Sequence, residues 1–149
     1  MTWQPKQTVV VPIDFSDSSA DAVCEALRWA ASPDSVHVVH VVFDFEPIAP
    51  YGYWNHQEPE WFPIRHENAR KHLETFIAEN KFGDVKQVTL AGNASSEITR
   101  YAREQAADLI VIPSHGYHGL NRLLLGSTTE RVLRHAHCPV YVLRRRDAD

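Results

Sequence analysis

Apolar positions along the chain fall into short unbroken runs separated by stretches of helical period. Leu109 to Ile112 is an aliphatic run too short for a helix, the pattern of a parallel strand covered on both faces. Thr8 to Ile13 and Val36 to Val42 have the same character, Val85 to Leu90 alternates as a shorter strand, and Pro139 to Leu143 closes the series. Between the runs the spacing changes. Val23, Ala26, Leu27 and Ala30 form one inner face behind the candidate caps Ser16, Asp17 and Ser18. Ala69, Leu73, Phe76 and Ile77 form a second, in a helix expected to start at Ile64 and to end at Asn80 and Gly83. Ser95 is the expected cap of a third, with Glu97 in its first turn and Ile98, Tyr101, Ala102 and Gln105 along a face, and Thr129, Val132, Leu133 and Ala136 mark a fourth after Gly126-Ser127. Strands alternating with helices in this way predict an α/β fold: one open five-stranded parallel sheet with right-handed crossovers and helices on both faces, in one domain over residues 1–149.

Residues 43–63 break the alternation. They carry Phe43, Phe45, Tyr51, Tyr53, Trp54, Trp61 and Phe62 together with four of the nine prolines, and cannot form a continuous helix. Irregular chain of this length is expected to be a lid, a binding surface or an extra cover on the core, and so many aromatics argue against disorder.

Composition limits the function classes. The 149 residues with 44% hydrophobic content suffice for one core, and the formal charge of −4 provides no broad basic footprint for nucleic acid or an anionic membrane. The polar start and the lack of a long apolar run predict a cytoplasmic protein. Cys24 and Cys138 form no pairing framework, so buried reduced thiols are expected. His37 and His40 lie three apart on a strand of period two, so they should face opposite sides and share no metal ion. His115 with His118, and His135 with His137, lack a third ligand nearby in sequence.

The candidate chemistry lies after Ile112. Gly116, Gly119 and Gly126 offer backbone freedom, and a helix opening at Gly126-Ser127 presents free N–H groups and a positive dipole end to an anion. No Walker-type loop, nucleophile elbow or dinucleotide fingerprint is present. Ser114 beside His115 suggests a nucleophile with its base, but sequence neighbours seldom face one another as a dyad requires. Asp14, at the carboxyl end of a strand, is a ligand group or a turn residue.

Gly116, nine residues, Gly126 and Ser127 together resemble the nucleotide-binding signature of the universal stress protein family, with Pro113 where that signature has its first glycine. Val-Val-Val-Pro-Ile-Asp-Phe-Ser-Asp at 9–17, Val-Val-His-Val-Val at 38–42, Gly-Asn-Ala-Ser-Ser-Glu-Ile at 92–98 and Ala-His-Cys-Pro-Val-Tyr-Val-Leu at 136–143 extend the resemblance, in that family's order. It implies a Rossmann-like fold of the adenine nucleotide alpha hydrolase type and an ATP site. Pro12, Ile13 and Asp14 would line the pocket, and the backbone at Val41 would recognise adenine. Ile112, Pro113, Ser114 and Thr129 would border the loop, and His115 would line the phosphate channel or stay a plain surface histidine. Gly116, Gly119, Gly126, Ser127 and Thr128 would hold the phosphates, with Asp14 able to reach a magnesium ion between them. The resemblance also implies a homodimer joined through Pro139–Leu143 and a stress-response regulator rather than an enzyme. The competing readings are a nucleotide-free member acting through protein contacts and, more weakly, an ATP-hydrolysing enzyme. If the signature's first amide bonds a charged phosphate, Pro113 weakens ATP binding roughly ten- to a hundredfold.

Overall fold

The structure, a computed structural model, describes residues 4–43, 61–115 and 125–144. Its elements in chain order are β1 (Val9–Pro12), α1 (Asp17–Trp29), β2 (Val36–Val42), α2 (Trp61–Asn80), β3 (Lys86–Ala91), α3 (Ala94–Glu104), β4 (Leu109–Pro113), α4 (Ser127–His135) and β5 (Val140–Leu143). The five strands pair in parallel in the order β3-β2-β1-β4-β5, so the expected α/β sheet forms, Rossmann-like, with β3 and β5 at its edges. Most of the aromatic stretch, residues 44–60, and the glycines at 116 and 119 lie outside the described residues.

The period of two distributes the valines between two cores. Val9, Val11, Val36 and Val38 pack with Ala22, Val23 and Ala26 of α1 and Leu73 and Ile77 of α2. Val10, Val39, Ile110 and Ile112 pack with Ile98 and Ala102 of α3 and Val132 of α4. Two helices therefore cover each face, which is why the inner strands β1 and β4 are apolar throughout and β2 is interrupted only by His37 and His40. Each fully buried Val or Leu contributes about 1.5–3 kcal/mol relative to exposure. His37 and His40 obey the same alternation. His37 reaches Tyr101 of α3, and His40 lies against Phe15 on the other face.

Two boundaries differ from expectation, while α2 ends at Asn80 as expected. α2 starts at Trp61, not Ile64, because Pro63 occupies the first helical turn, where a missing N–H costs no hydrogen bond. α3 is capped by Asn93, whose side chain accepts from the Ser96 N–H, and Ser95 instead donates its hydroxyl to that same Asn93 oxygen. α2 and α3 are followed by Lys81 at φ 55° and Ala106 at φ 50°, left-handed stops built without glycine, with Phe82 N–H bonding Ile77 O and Ala107 N–H bonding Ala102 O. Cys24 is exposed and Cys138 half-buried, so the expected burial fails for Cys24, which falls on the outer side of α1.

Candidate functional site

The chain leaves β1 toward β2 on one side, and β4 flanks β1 on the other. The carboxyl ends of β1 and β4 thus border the point where the winding reverses, the crevice in which open α/β sheets take their ligands. Pro12, Ile13 and Asp14 arrive there from β1, and Ile112, Pro113, Ser114 and His115 from β4. Val41 sits near the same end of β2, opposite Leu90.

Asp14 is engaged by its own turn. Its Oδ1 accepts from the Ser16 N–H at 3.0 Å and from the Ser19 hydroxyl at 3.2 Å, and Ser19 Oγ also receives the Asp14 N–H at 3.3 Å. The carboxylate thereby fixes the entry to α1, whose own N-cap residue, Ser16, makes no side-chain cap bond. The turn reading of Asp14 is thus met by Oδ1.

Opposite Asp14, α4 is bonded to the end of β4. Gly126 N–H donates to Ser114 O at 2.8 Å, and the Thr129 hydroxyl, buried, donates to Pro113 O at 2.8 Å. Ser127 and Thr128 therefore begin a helix whose first turn stands directly over the strand end, with Glu130 as the acidic residue of that turn. Gly126 has φ −60° and ψ 150°, a conformation open to any residue, so this position does not need glycine for its backbone. Ser114 is buried, and its Oγ lies 3.1 Å from His115 Nδ1. Sequence neighbours do meet here, against expectation. His115 Nε2 is buried and has no hydrogen-bond partner among the described residues.

Sequence reasoning missed the aromatic wall beside Asp14. Phe15 holds a left-handed φ of 63°, stacks on His72 of α2 at 4.1 Å, and contacts His40 at 4.6 Å and Phe76 at 5.7 Å. His40 Nδ1–H donates to Ile13 O at 3.0 Å, which fixes the ring against β1. Burial pushes His40 below the ordinary histidine range, and the neighbouring His72 acts in the same direction; the Ile13 carbonyl and Asp14 oppose them. Only the Phe-Ser-Asp run after Asp14 hinted at a tight turn. No group of three or more metal-ligating side chains occurs among the described residues, and no helix there is long and apolar enough to cross a membrane.

The universal stress protein family model matches residues 6–144. The chain is 35% identical over 141 residues to universal stress protein MJ0531 of Methanocaldococcus jannaschii, with 92% of this chain and 81% of that one covered. It is similar in fold to a universal stress protein solved in complex with cAMP, at 22% identity and a TM-score of 0.66, with 94% of this chain and 98% of that chain covered. A universal stress protein from Archaeoglobus fulgidus in complex with dAMP matches at 21% identity and a TM-score of 0.58, covering 95% and 98%. The family match runs from Lys6 to Arg144, through every strand of the sheet and both sides of the crevice, and the chain belongs to the universal stress protein family.

Proposed function

We propose that the chain binds an adenine nucleotide, ATP in the first instance, in the crevice between β1 and β4, and acts as a dimeric stress-response regulator in the cytoplasm rather than as an enzyme. The observation that carries this reading is the bonding of α4's first turn to the end of β4, through Gly126 N–H to Ser114 O and Thr129 to Pro113 O. It sets Ser127 and Thr128, with the free N–H groups of a helix start, beside the sheet's switch point, where phosphate is favoured by both dipole and donors. The family relatives in complex with cAMP and dAMP support the adenine class. Ile13, Asp14 and Val41 would line the nucleoside side, and Ser114, His115, Gly116 and Gly119 the phosphate side. Magnesium, where it takes part, would be held chiefly by the phosphates. Asp14 is the fitting carboxylate, but one of its oxygens already serves the α1 turn, and no protein cluster completes a site among the described residues. Calorimetric titration with ATP tests the reading. Binding by the wild type and its loss in Gly126→Val, whose side chain would stand at the helix start, are expected. Absence of binding in the wild type would turn the choice to a nucleotide-free member acting through protein contacts.

The dimer is proposed on the edge position of β5. Val140, Tyr141, Val142 and Leu143 are half-buried at one side of the sheet, and such an edge is a pairing surface unless covered. Antiparallel pairing of two copies would cover it. Sedimentation equilibrium at micromolar concentration should give a dimer that Val142→Asp converts to monomer.

A further inference from the structure

The central pair of strands is stitched at one end and lacks ladder hydrogen bonds at the other. At the amino end Asp108 Oδ2 accepts from Gln7 N–H at 2.7 Å and Thr8 N–H at 3.0 Å, and Asp108 N–H donates to Thr8 O at 2.9 Å. At the carboxyl end the pairing of β1 with β4 stops at Val10↔Ile110. β1 stays paired with β2 as far as Pro12↔Val39, and β4 with β5 as far as Pro113↔Leu143. The early end of pairing is therefore confined to the seam between β1 and β4.

The alternation of backbone groups explains it. Ile13 N–H donates to Val39 O, so odd-numbered residues of β1 face β2 and even-numbered ones face β4. Ile110 and Ser114 N–H donate to Pro139 O and Leu143 O, so even-numbered residues of β4 face β5 and odd-numbered ones face β1. The next two rungs of the seam would run from the N–H of residue 12 to Val111 O and from the N–H of residue 113 to Pro12 O. Both positions are proline and have no N–H to give. Pro12, Val111 and Pro113 are all buried.

We propose that Pro12 and Pro113 form a paired stop in the β1–β4 ladder that keeps the switch-point crevice open, which makes Pro113 a positioning residue for the bound nucleotide. The second half of that statement rests on the nucleotide-binding reading. The consequence reverses the expectation drawn from the signature. An N–H restored at 113 faces Pro12 O rather than a phosphate, so it adds a rung instead of a ligand contact. Nucleotide must then break that rung to enter, which lowers its apparent affinity by the fraction of closed molecules.

The test uses Pro113→Ala, Pro12→Ala and the double variant, each read by amide hydrogen exchange and by ATP titration. The structure predicts a slowly exchanging new amide at position 113, ATP binding weakened about two- to tenfold in Pro113→Ala, and a larger loss in the double variant. Pro12→Ala provides the second, independent rung, to Val111 O, if Pro113→Ala folds poorly. Fast exchange of both new amides overturns the paired stop. Slow exchange with unchanged or tighter ATP binding overturns the positioning role. A wild type that fails to bind ATP overturns the nucleotide reading and the positioning role together, while a protected amide at position 113 in Pro113→Ala would still uphold the stop.

Discussion

Phe15 stacks on His72 with ring centroids 4.1 Å apart and planes 10° from parallel, while its own backbone is held at φ 63°. A β1–α1 turn that a bulky residue rarely adopts is thus fastened by its side chain to the middle of α2.

Two substitutions separate the strain from the packing. Phe15→Ala keeps the left-handed backbone cost and loses the ring contacts with His72, His40 and Phe76, so it should destabilise by roughly 2–3 kcal/mol. Phe15→Gly loses the same ring but relieves the backbone, and should come out about 1 kcal/mol more stable than Phe15→Ala. Urea unfolding of the two variants reads the difference. A glycine variant less stable than the alanine variant would show that the turn is not strained.

Buried His37 and half-buried His40 give the fold a pH dependence on the acid side. Burial pushes His37 below its ordinary value of 6.5, assisted by the charge of Lys86, and burial lowers His40 as well. The unfolded chain then takes up protons on these residues before the folded one does, so their contribution to stability is present above about pH 6.5 and lost as pH falls from there toward their lowered folded values. Urea midpoints at pH 7.5, 6.5 and 5.5 should decline, and His37→Gln, which cannot titrate, should flatten the decline. The depressed Glu67 and Asp34 do not interfere, because their ordinary values are 4.5 and 3.8 and their effects begin lower still.

At the start of α3, one oxygen of Asn93 accepts from Ser96 N–H, Ser95 Oγ and Ser96 Oγ. Asn93→Ala should cost about 1 kcal/mol, and Ser95→Ala, which leaves the backbone cap in place, distinctly less. Thermal unfolding of the pair would expose a misplaced cap by the opposite ranking.

The strands were legible because a sheet covered on both faces calls for nearly continuous apolar runs, which 9–12 and 109–112 supply in full and 36–42 supplies with only His37 and His40 interrupting. The opposite faces of His37 and His40 followed from the same period. The cap of α3 did not, since Asn93, Ser95 and Ser96 are all good cap residues and only the backbone decides among them. The start of α2 was expected at Ile64, although a first helical turn accepts proline and the helix begins at Trp61. In the crevice, composition and spacing identified the two strand ends and the start of α4. The left-handed Phe15 and the facing of Pro12 toward Pro113 were not legible. One contradicts the residue's own preference, and the other exists only once the register of β1 against β4 is set.

Thr129 connects this register to the helix that borders the crevice. Its hydroxyl donates to Pro113 O at 2.8 Å, and Thr129 is only 3% exposed. Thr129→Val keeps the volume but removes the donor, leaving a carbonyl without its partner in a place water does not reach, at a cost of about 1–3 kcal/mol. Thr129→Ser keeps the donor and loses one methyl group, about 0.8 kcal/mol of burial. Valine should therefore destabilise more than serine, despite being the closer match in shape. Because the same bond sets the start of α4 over the end of β4, Thr129→Val should also weaken ATP binding while Thr129→Ser retains it. Urea unfolding and calorimetric titration of both variants check the two rankings. Equal ATP affinity in Thr129→Val and the wild type would mean that Gly126 N–H alone positions the helix start.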